Sequence, residues 1–251
     1  MNIVKGSNIV KTYGQGNEKN TALNGVSIEL TSGEFTAVMG PSGCGKSTLL
    51  FALSGTDTIG SGSVRFGDVE LTALSENKLA DIRRTKMGFV FQQPTMLKNL
   101  NLLDNIILPA MQKKRGNTAQ ITAKGKKLMA KMGIEGLEQR DTAQVSGGQL
   151  QRAGICRALI GSPEVLFADE PTGALNSKAA EEVMDVLSGI HRDGTAILLV
   201  THDAKVAARA DQVLFMKDGE IVSEQRLGPY STDALTGSME TVMAGLADAE
   251  G

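Results

Sequence analysis

The residues that most constrain this chain are Gly40-Pro-Ser-Gly-Cys-Gly-Lys46-Ser47. They fit the pattern G-x4-G-K-[ST], which arises by accident in roughly one chain of this length in a hundred at typical composition. The apolar run Phe35–Met39 precedes the loop and the helical pattern Ser47–Ser54 follows it. A strand, a glycine-rich turn and a helix start in that order are what a phosphate cradle requires. Glycines let successive backbone N–H groups curve around phosphate oxygens with no Cβ in the way. The turn then opens a helix, whose N-terminus favours negative charge. In this reading Lys46 reaches the β- and γ-phosphates and the Ser47 hydroxyl binds Mg²⁺.

Around the loop, short apolar runs alternate with helical patterns, which predicts an α/β fold with a parallel sheet and crossover helices. The predicted strands are Val26–Leu30, Phe35–Met39, Met87–Phe91, Val165–Ala168, Ala196–Val200 and Gln212–Met216. Val165–Ala168 and Ala196–Val200 are apolar throughout, as in strands buried on both faces. Ser177–Ile190 is the clearest helix, with Val183, Val186, Leu187 and Ile190 at i, i+3, i+4 and i+7. Asp218-Gly219 reads as a hairpin turn. Strand signals fade between Gln92 and Gly161, which predicts a helical subdomain over about 93–160 inserted in the core. Residues 1–225 then form the main domain, with a short, loosely attached extension over 226–251.

Three further segments carry chemistry. Val165-Leu-Phe-Ala-Asp169-Glu170 is an apolar strand ending in two carboxylates, and ligands sit at the carboxyl ends of such strands. Asp169 there can hold Mg²⁺ through a water, and Glu170 can orient the attacking water. The bland alternative is a solvated acidic turn. Val200-Thr-His202-Asp203 ends another apolar strand, and a neutral His202 there can bridge a γ-phosphate and Glu170. Ser146-Gly147-Gly148-Gln149 precedes the helical segment Leu150–Ile160, and Ser146 with Gln149 makes a capping box. The two glycines beside the cap leave bare N–H groups that suit an anion, and local physics alone does not say whose. Gln92 and Tyr13 read by themselves as a surface loop residue and an edge aromatic, although an aromatic near the phosphate loop can stack on a purine.

Taken in order, these residues resemble the nucleotide-binding subunit of an ATP-binding cassette (ABC) transporter, over about Asn2 to Val222. The specific element is the signature Ser146–Gln149, which other phosphate-loop enzymes lack. The resemblance implies a phosphate-loop ATPase core with an inserted helical subdomain and an N-terminal antiparallel β subdomain. It implies ATP and Mg²⁺ as the bound small molecules. Tyr13 would stack on adenine. Gly40, Pro41, Ser42, Gly43, Cys44, Gly45, Lys46, Ser47 and Thr48 would cradle the phosphates. Ser47, Gln92 of the Q-loop and Asp169 would serve the metal; Glu170, His202, Lys46 and Gln92 would carry catalysis. Two subunits would pair head to tail, so that Ser146, Gly147, Gly148 and Gln149 of one meet the γ-phosphate held by the other. Ala168–Leu175, Gly88–Gln92 and Val213–Gly219 resemble the macrolide, lipoprotein and bacitracin-type exporter group, whose ATPases serve membrane permeases. Two positions depart from the family pattern. Val145 stands where Leu is commoner. Asn176 stands where Asp is usual, which removes a charge from the loop coupling the two sites.

Composition narrows the rest. The chain has 251 residues, 41% apolar and 22% charged, which excludes the disordered and fibrous classes. Net charge is 26 − 28 = −2, no support for a nucleic-acid partner. Two cysteines point to a reducing compartment. No apolar run reaches the ~18 residues of a membrane span, so the expected location is peripheral, on the cytoplasmic face of the membrane. Lys113 to Lys131 holds seven basic residues and no acidic one, a solvated helix face or a contact with anionic lipid or the permease. A small-molecule kinase would not need Ser146–Gln149. A cell-envelope signalling ATPase that does no transport would need all the same residues.

Overall fold

Every residue of Phe35–Met39 and of Ala196–Thr201 is buried, because helices and a second sheet cover both faces of the sheet they build. The computed structural model describes residues 1–14, 19–111 and 117–250. In chain order these form β1 (Asn2–Tyr13), β2 (Asn20–Thr31), β3 (Phe35–Met39) and α1 (Lys46–Leu53). Then come β4 (Ser61–Phe66), β5 (Val69–Glu70), α2 (Glu76–Lys86) and β6 (Met87–Phe91). Three helices follow: α3 (Leu102–Met111), α4 (Thr118–Lys131) and α5 (Gly147–Leu159). The chain continues through β7 (Val165–Asp169), α6 (Ser177–Arg192), β8 (Ala196–Thr201) and α7 (Ala204–Ala207). It closes with β9 (Gln212–Lys217), β10 (Glu220–Arg226) and α8 (Leu235–Glu250).

Six strands make one sheet in the order β10-β9-β3-β8-β7-β6, and only the β9–β10 pair is antiparallel. Four more make an antiparallel sheet, β2-β1-β4-β5. Alternation along the strands feeds two cores. Phe35, Ala37, Met39, Leu166 and Ala168 face the layer of α3, α5 and α6. Val38, Val165, Phe167, Leu198 and Val200 face α1 and the antiparallel sheet. Full burial of each such aromatic or aliphatic side chain stabilises by about 1.5–3 kcal/mol. Because the strands run parallel, β3, β6, β7 and β8 all end at the same edge, and residues Gly40, Gln92, Glu170 and His202 gather there.

The sequence predicts a loosely attached C-terminal tail, and the structure differs. Val242 of α8 is fully buried, and a Cβ at Gly245 would lie 2.7 Å from the Phe215 ring. Leu235, Met239, Val242, Leu246 and Ala249, at i, i+4, i+7, i+11 and i+14, form an apolar stripe that packs on the core. The surrounding Pro, Ser, Thr and Gly residues obscure that period in the sequence. Asp218 and Gly219 do turn β9 into β10, both with positive φ (48° and 81°) as a tight hairpin turn demands.

At the opposite edge, Asp211 ties three elements together. Its Oδ2 accepts the Phe35 N–H (2.8 Å) and lies 3.0 Å from His191 Nε2, which also approaches the Gly33 carbonyl at 3.0 Å. The bond to Asp211 raises the His191 pKa above its ordinary 6.5, against the effect of burial. Burial works against the Asp211 carboxylate, but the His191 and Phe35 bonds hold its pKa below 3.8. A raised imidazole stabilises the fold fully below 6.5 and loses that contribution as pH rises through its folded pKa. A depressed carboxylate contributes above 3.8 and loses it as pH falls through its folded pKa. The pair therefore acts between about pH 4 and 6.5. His191→Gln is expected to cost about 1 kcal/mol in urea unfolding at pH 5.5 and much less at pH 8.5. An equal loss at both pH values would remove the ion-pair role.

Candidate functional site

The phosphate loop is shaped by its neighbours as well as by its own glycines. A Cβ at Gly40 would sit 2.0 Å from the Met216 carbonyl, and one at Gly45 would sit 2.3 Å from the Ala22 carbonyl. Both positions also have positive φ, so any side chain there meets backbone and strain together. The loop is thus clamped between β2 and β9. Lys46 is buried, and its Nζ donates to the carbonyls of Gly40 (2.7 Å) and Pro41 (2.8 Å) inside the curve of the loop. Cys44 turns its thiol into the core, where burial raises its pKa despite the nearby Lys46 charge.

A cleft of about 360 Å³ opens over this loop, lined by Tyr13, Asn20, Ala22, Ser42, Gly43, Gly45, Lys46, Ser47, Thr48 and Glu170. Ser47 Oγ donates to Asp169 Oδ1 at 2.8 Å, so the loop hydroxyl and the β7 carboxylate share one spot. Burial and the charge of Glu170 raise the Asp169 pKa, while Ser47 and Lys46 work against that rise. A hydroxyl beside a carboxylate is a hard oxygen pair suited to Mg²⁺. Among the described residues no cluster of three or more His, Cys, Asp or Glu could hold a metal by itself.

Glu170 follows β7 with φ 46°, a left-handed backbone that turns its side chain toward the cleft. Its Oε1 lies 2.8 Å from His202 Nδ1, and its Oε2 accepts the Thr201 hydroxyl at 3.2 Å. Gln92 is exposed just past β6 and sits against Gly173, where a Cβ would come 2.8 Å from its Nε2.

Tyr13 is 42% exposed, and its hydroxyl donates to Asp57 Oδ2 at 2.7 Å. Burial and that bond raise the Tyr13 pKa. Lys11, itself buried, pairs with Asp57 at 2.7 Å and lies 4.8 Å from the centre of the Tyr13 ring. Lys11 thus stands against one part of the ring, and Asp57 follows α1, so the aromatic and the phosphate loop are tied to one helix. Lys11, Asp57 and Thr201 carry no sequence motif; they are found only once the fold brings them together.

Ser146–Gln149 lie elsewhere. Ser146 Oγ accepts the Gln149 N–H (3.3 Å) and Gln149 Oε1 accepts the Ser146 N–H (2.9 Å), which is the expected capping box at the start of α5. Gly148 is buried because a Cβ there would lie 2.9 Å from Ala179 Cβ on α6. Asn176 caps α6 by accepting the Ala179 N–H at 2.9 Å, a role that needs no charge. None of Ser146–Gln149 lines the cleft of the same chain.

Residues 23–173 match a family model described as ABC transporter. The chain belongs to that family. It is 37% identical over 229 residues to the macrolide export ATP-binding/permease protein MacB of Mannheimia succiniciproducens, covering 91% of this chain and 36% of that protein. The chain therefore spans about a third of the MacB proteins it matches. It is 40% identical over 220 residues to an uncharacterized ABC transporter ATP-binding protein of Methanocaldococcus jannaschii, covering 88% of this chain and 98% of that one. A dimeric ATP-binding cassette solved after hydrolysis, bound to ADP and Pi, matches with a TM-score of 0.83 at 37% identity. That match covers 90% of this chain and 100% of the other. The fold and the enzyme class are those of an ABC ATPase. No helix among the described residues is long and apolar enough to cross a membrane.

If the Asp57 tether sets the stacking face of Tyr13, Tyr13→Phe keeps the ring and loses only the bond. KM for ATP is then expected to rise about five-fold, equivalent to about 1 kcal/mol, with kcat unchanged. An unchanged KM would show that the tether does not act on the nucleotide.

Proposed function

We propose that this ABC ATPase powers a membrane permease of the exporter type, from the cytoplasmic face of the membrane, as a head-to-tail pair of cassettes. The observation that carries this reading is the division of the site. The cleft over Lys46 and Ser47 has a loop, a metal-suited oxygen pair and a carboxylate, but no N–H donors from Ser146–Gln149, which stand built and capped on another part of the same chain. A second copy would bring those donors to the first copy's γ-phosphate.

In this mechanism Tyr13 stacks on adenine, the backbone of Gly40–Thr48 cradles the phosphates and Lys46 leaves its loop carbonyls for the β- and γ-oxygens. Ser47 and Asp169, with Gln92 nearby, would hold Mg²⁺, which supplies neutralising charge when bound. Glu170 orients the attacking water, and His202 contacts the γ-phosphate. Charge that develops on the transferred phosphoryl is met by Lys46 and by the N–H groups of the partner's signature helix. Loss of the shared γ-phosphate reopens the pair, and the permease reads that motion.

A groove of about 400 Å³ offers the permease a place. Phe89, Phe91 and Pro109 form its apolar side, and Arg83, Arg84 and Arg157 rim it. Such lining suits an amphipathic segment with an acidic end. Relatives named for macrolide export support an exported antibiotic, and the resemblance to the wider exporter group adds peptides and lipid-like amphiphiles as cargo classes. Of the basic tract, Lys113, Lys114 and Arg115 lie outside the described residues. Lys124 bonds Ser162 and Lys131 pairs with Asp193, which leaves the exposed Lys126 and Lys127 of α4 for an anionic headgroup or a permease loop.

Glu170→Gln is expected to bind ATP as tightly as the parent chain while steady-state hydrolysis falls by about 100-fold or more. Hydrolysis at the parental rate would defeat the assignment of Glu170.

A further inference from the structure

Glu170 is held from two sides, and the two holders are unlike. His202 grips Oε1 from a side chain that is 66% exposed. Thr201 grips Oε2 from a side chain with no exposure at all. Thr201 is the last residue of β8, in register with Met39 at the end of β3, and its neighbour Val200 is in register with Asp169 of β7. It therefore sits between the strand that launches the phosphate loop and the strand that launches Glu170.

The direction of its hydrogen bonds follows from the donors available. The Asp203 N–H donates to Thr201 Oγ1 at 3.0 Å. A carboxylate oxygen only accepts, so the single hydroxyl proton of Thr201 goes to Glu170 Oε2 at 3.2 Å. Asp203 is itself fixed, because it caps α7 by accepting from the N–H groups of Lys205 and Val206. The Glu170 N–H donates to the Val200 carbonyl at 3.0 Å, so β8 anchors the residue by backbone and by side chain. The result is a continuous line from the α7 cap through Asp203 N–H and the Thr201 hydroxyl to Glu170.

We propose that Thr201 is the positioning residue for Glu170, the buried contact that keeps its carboxylate aimed while the exposed His202 also serves the γ-phosphate. This rests on Glu170 being the carboxylate that orients water. His202 reaches Glu170 from an exposed side chain that must also serve the γ-phosphate, whereas Thr201 is buried and does not line the cleft. A water-orienting group in a left-handed turn needs one fixed partner, since small misplacements at a reacting centre are costly.

The test uses the full chain and the variants Thr201→Val, Thr201→Ala, Thr201→Ser, Glu170→Gln and Thr201→Val/Glu170→Gln. Steady-state kcat and KM for ATP are measured for the single variants, with single-turnover hydrolysis in the Glu170→Gln background. Thr201→Val and Thr201→Ala are expected to lower kcat about 10- to 100-fold with KM for ATP unchanged. Thr201→Ser, which keeps the hydroxyl, is expected to restore most of the rate. Adding Thr201→Val to Glu170→Gln is expected to cost nothing further, because the two act as one unit. Alanine serves where valine fails to fold, since it removes atoms without adding any. A parental kcat in a folded valine or alanine variant, a serine variant as slow as either, or a multiplied loss in the double variant would each overturn the proposal. A slow Glu170→Gln beside a full-speed Thr201→Val would overturn this inference alone. A full-speed Glu170→Gln would overturn the reading of Glu170 beneath it.

Discussion

The clamp on the phosphate loop is the contact on which the rest of the site depends. Gly40 and Gly45 pass so close to the carbonyls of Met216 and Ala22 that a single Cβ would collide with them. That approach locks β3, β2 and β9 around one turn and fixes where α1 begins. The parallel register then does the remaining placement. Asp169 ends its strand beside Val200, and Met39 ends its strand beside Thr201, so the loop, the two carboxylates and His202 converge with no further device. Strand pairing, rather than any special interaction within the cleft, brings these groups to one edge.

Much of this is readable from the chain alone, for identifiable reasons. Gly40–Ser47 is legible because a tight backbone curve tolerates only certain residues at a fixed spacing. Val165–Ala168 and Ala196–Val200 are legible because burial on both faces leaves no polar residue in the run. Ser146 and Gln149 are legible as a cap because both halves of the capping box lie within one turn. What escapes is whatever depends on distant partners or shows only a weak or interrupted apolar period. Lys11 meets Asp57 across 46 positions, and nothing local marks either. Helix α2 sets only Leu79 and Ile82 against the core, both half-buried, too short a period to read. Helix α8 docks through Leu235, Met239, Val242 and Leu246, a stripe that the small residues around it obscure. Thr201 looks like one more strand residue until its hydroxyl is seen between Asp203 and Glu170.

Asn176 illustrates how a departure from a family pattern acquires a physical meaning. Its side chain is engaged as the cap of α6, and α6 in turn packs through Ala179 on Gly148 of the signature helix. The amide preserves that mechanical link between the loop after β7 and the start of α5. Cap, helix contact and signature thus form one connected face that does not line the cleft of its own chain.

The proposed pairing of that face with the cleft of a second copy is tested most directly by sedimentation velocity of the Glu170→Gln chain at saturating ATP and Mg²⁺, with and without Ser146→Arg. A shared cleft predicts a dimer with ATP, a monomer with ADP, and a monomer under both conditions once Ser146→Arg blocks the signature helix. A chain that stays monomeric with ATP, or a dimer indifferent to Ser146→Arg, would contradict it.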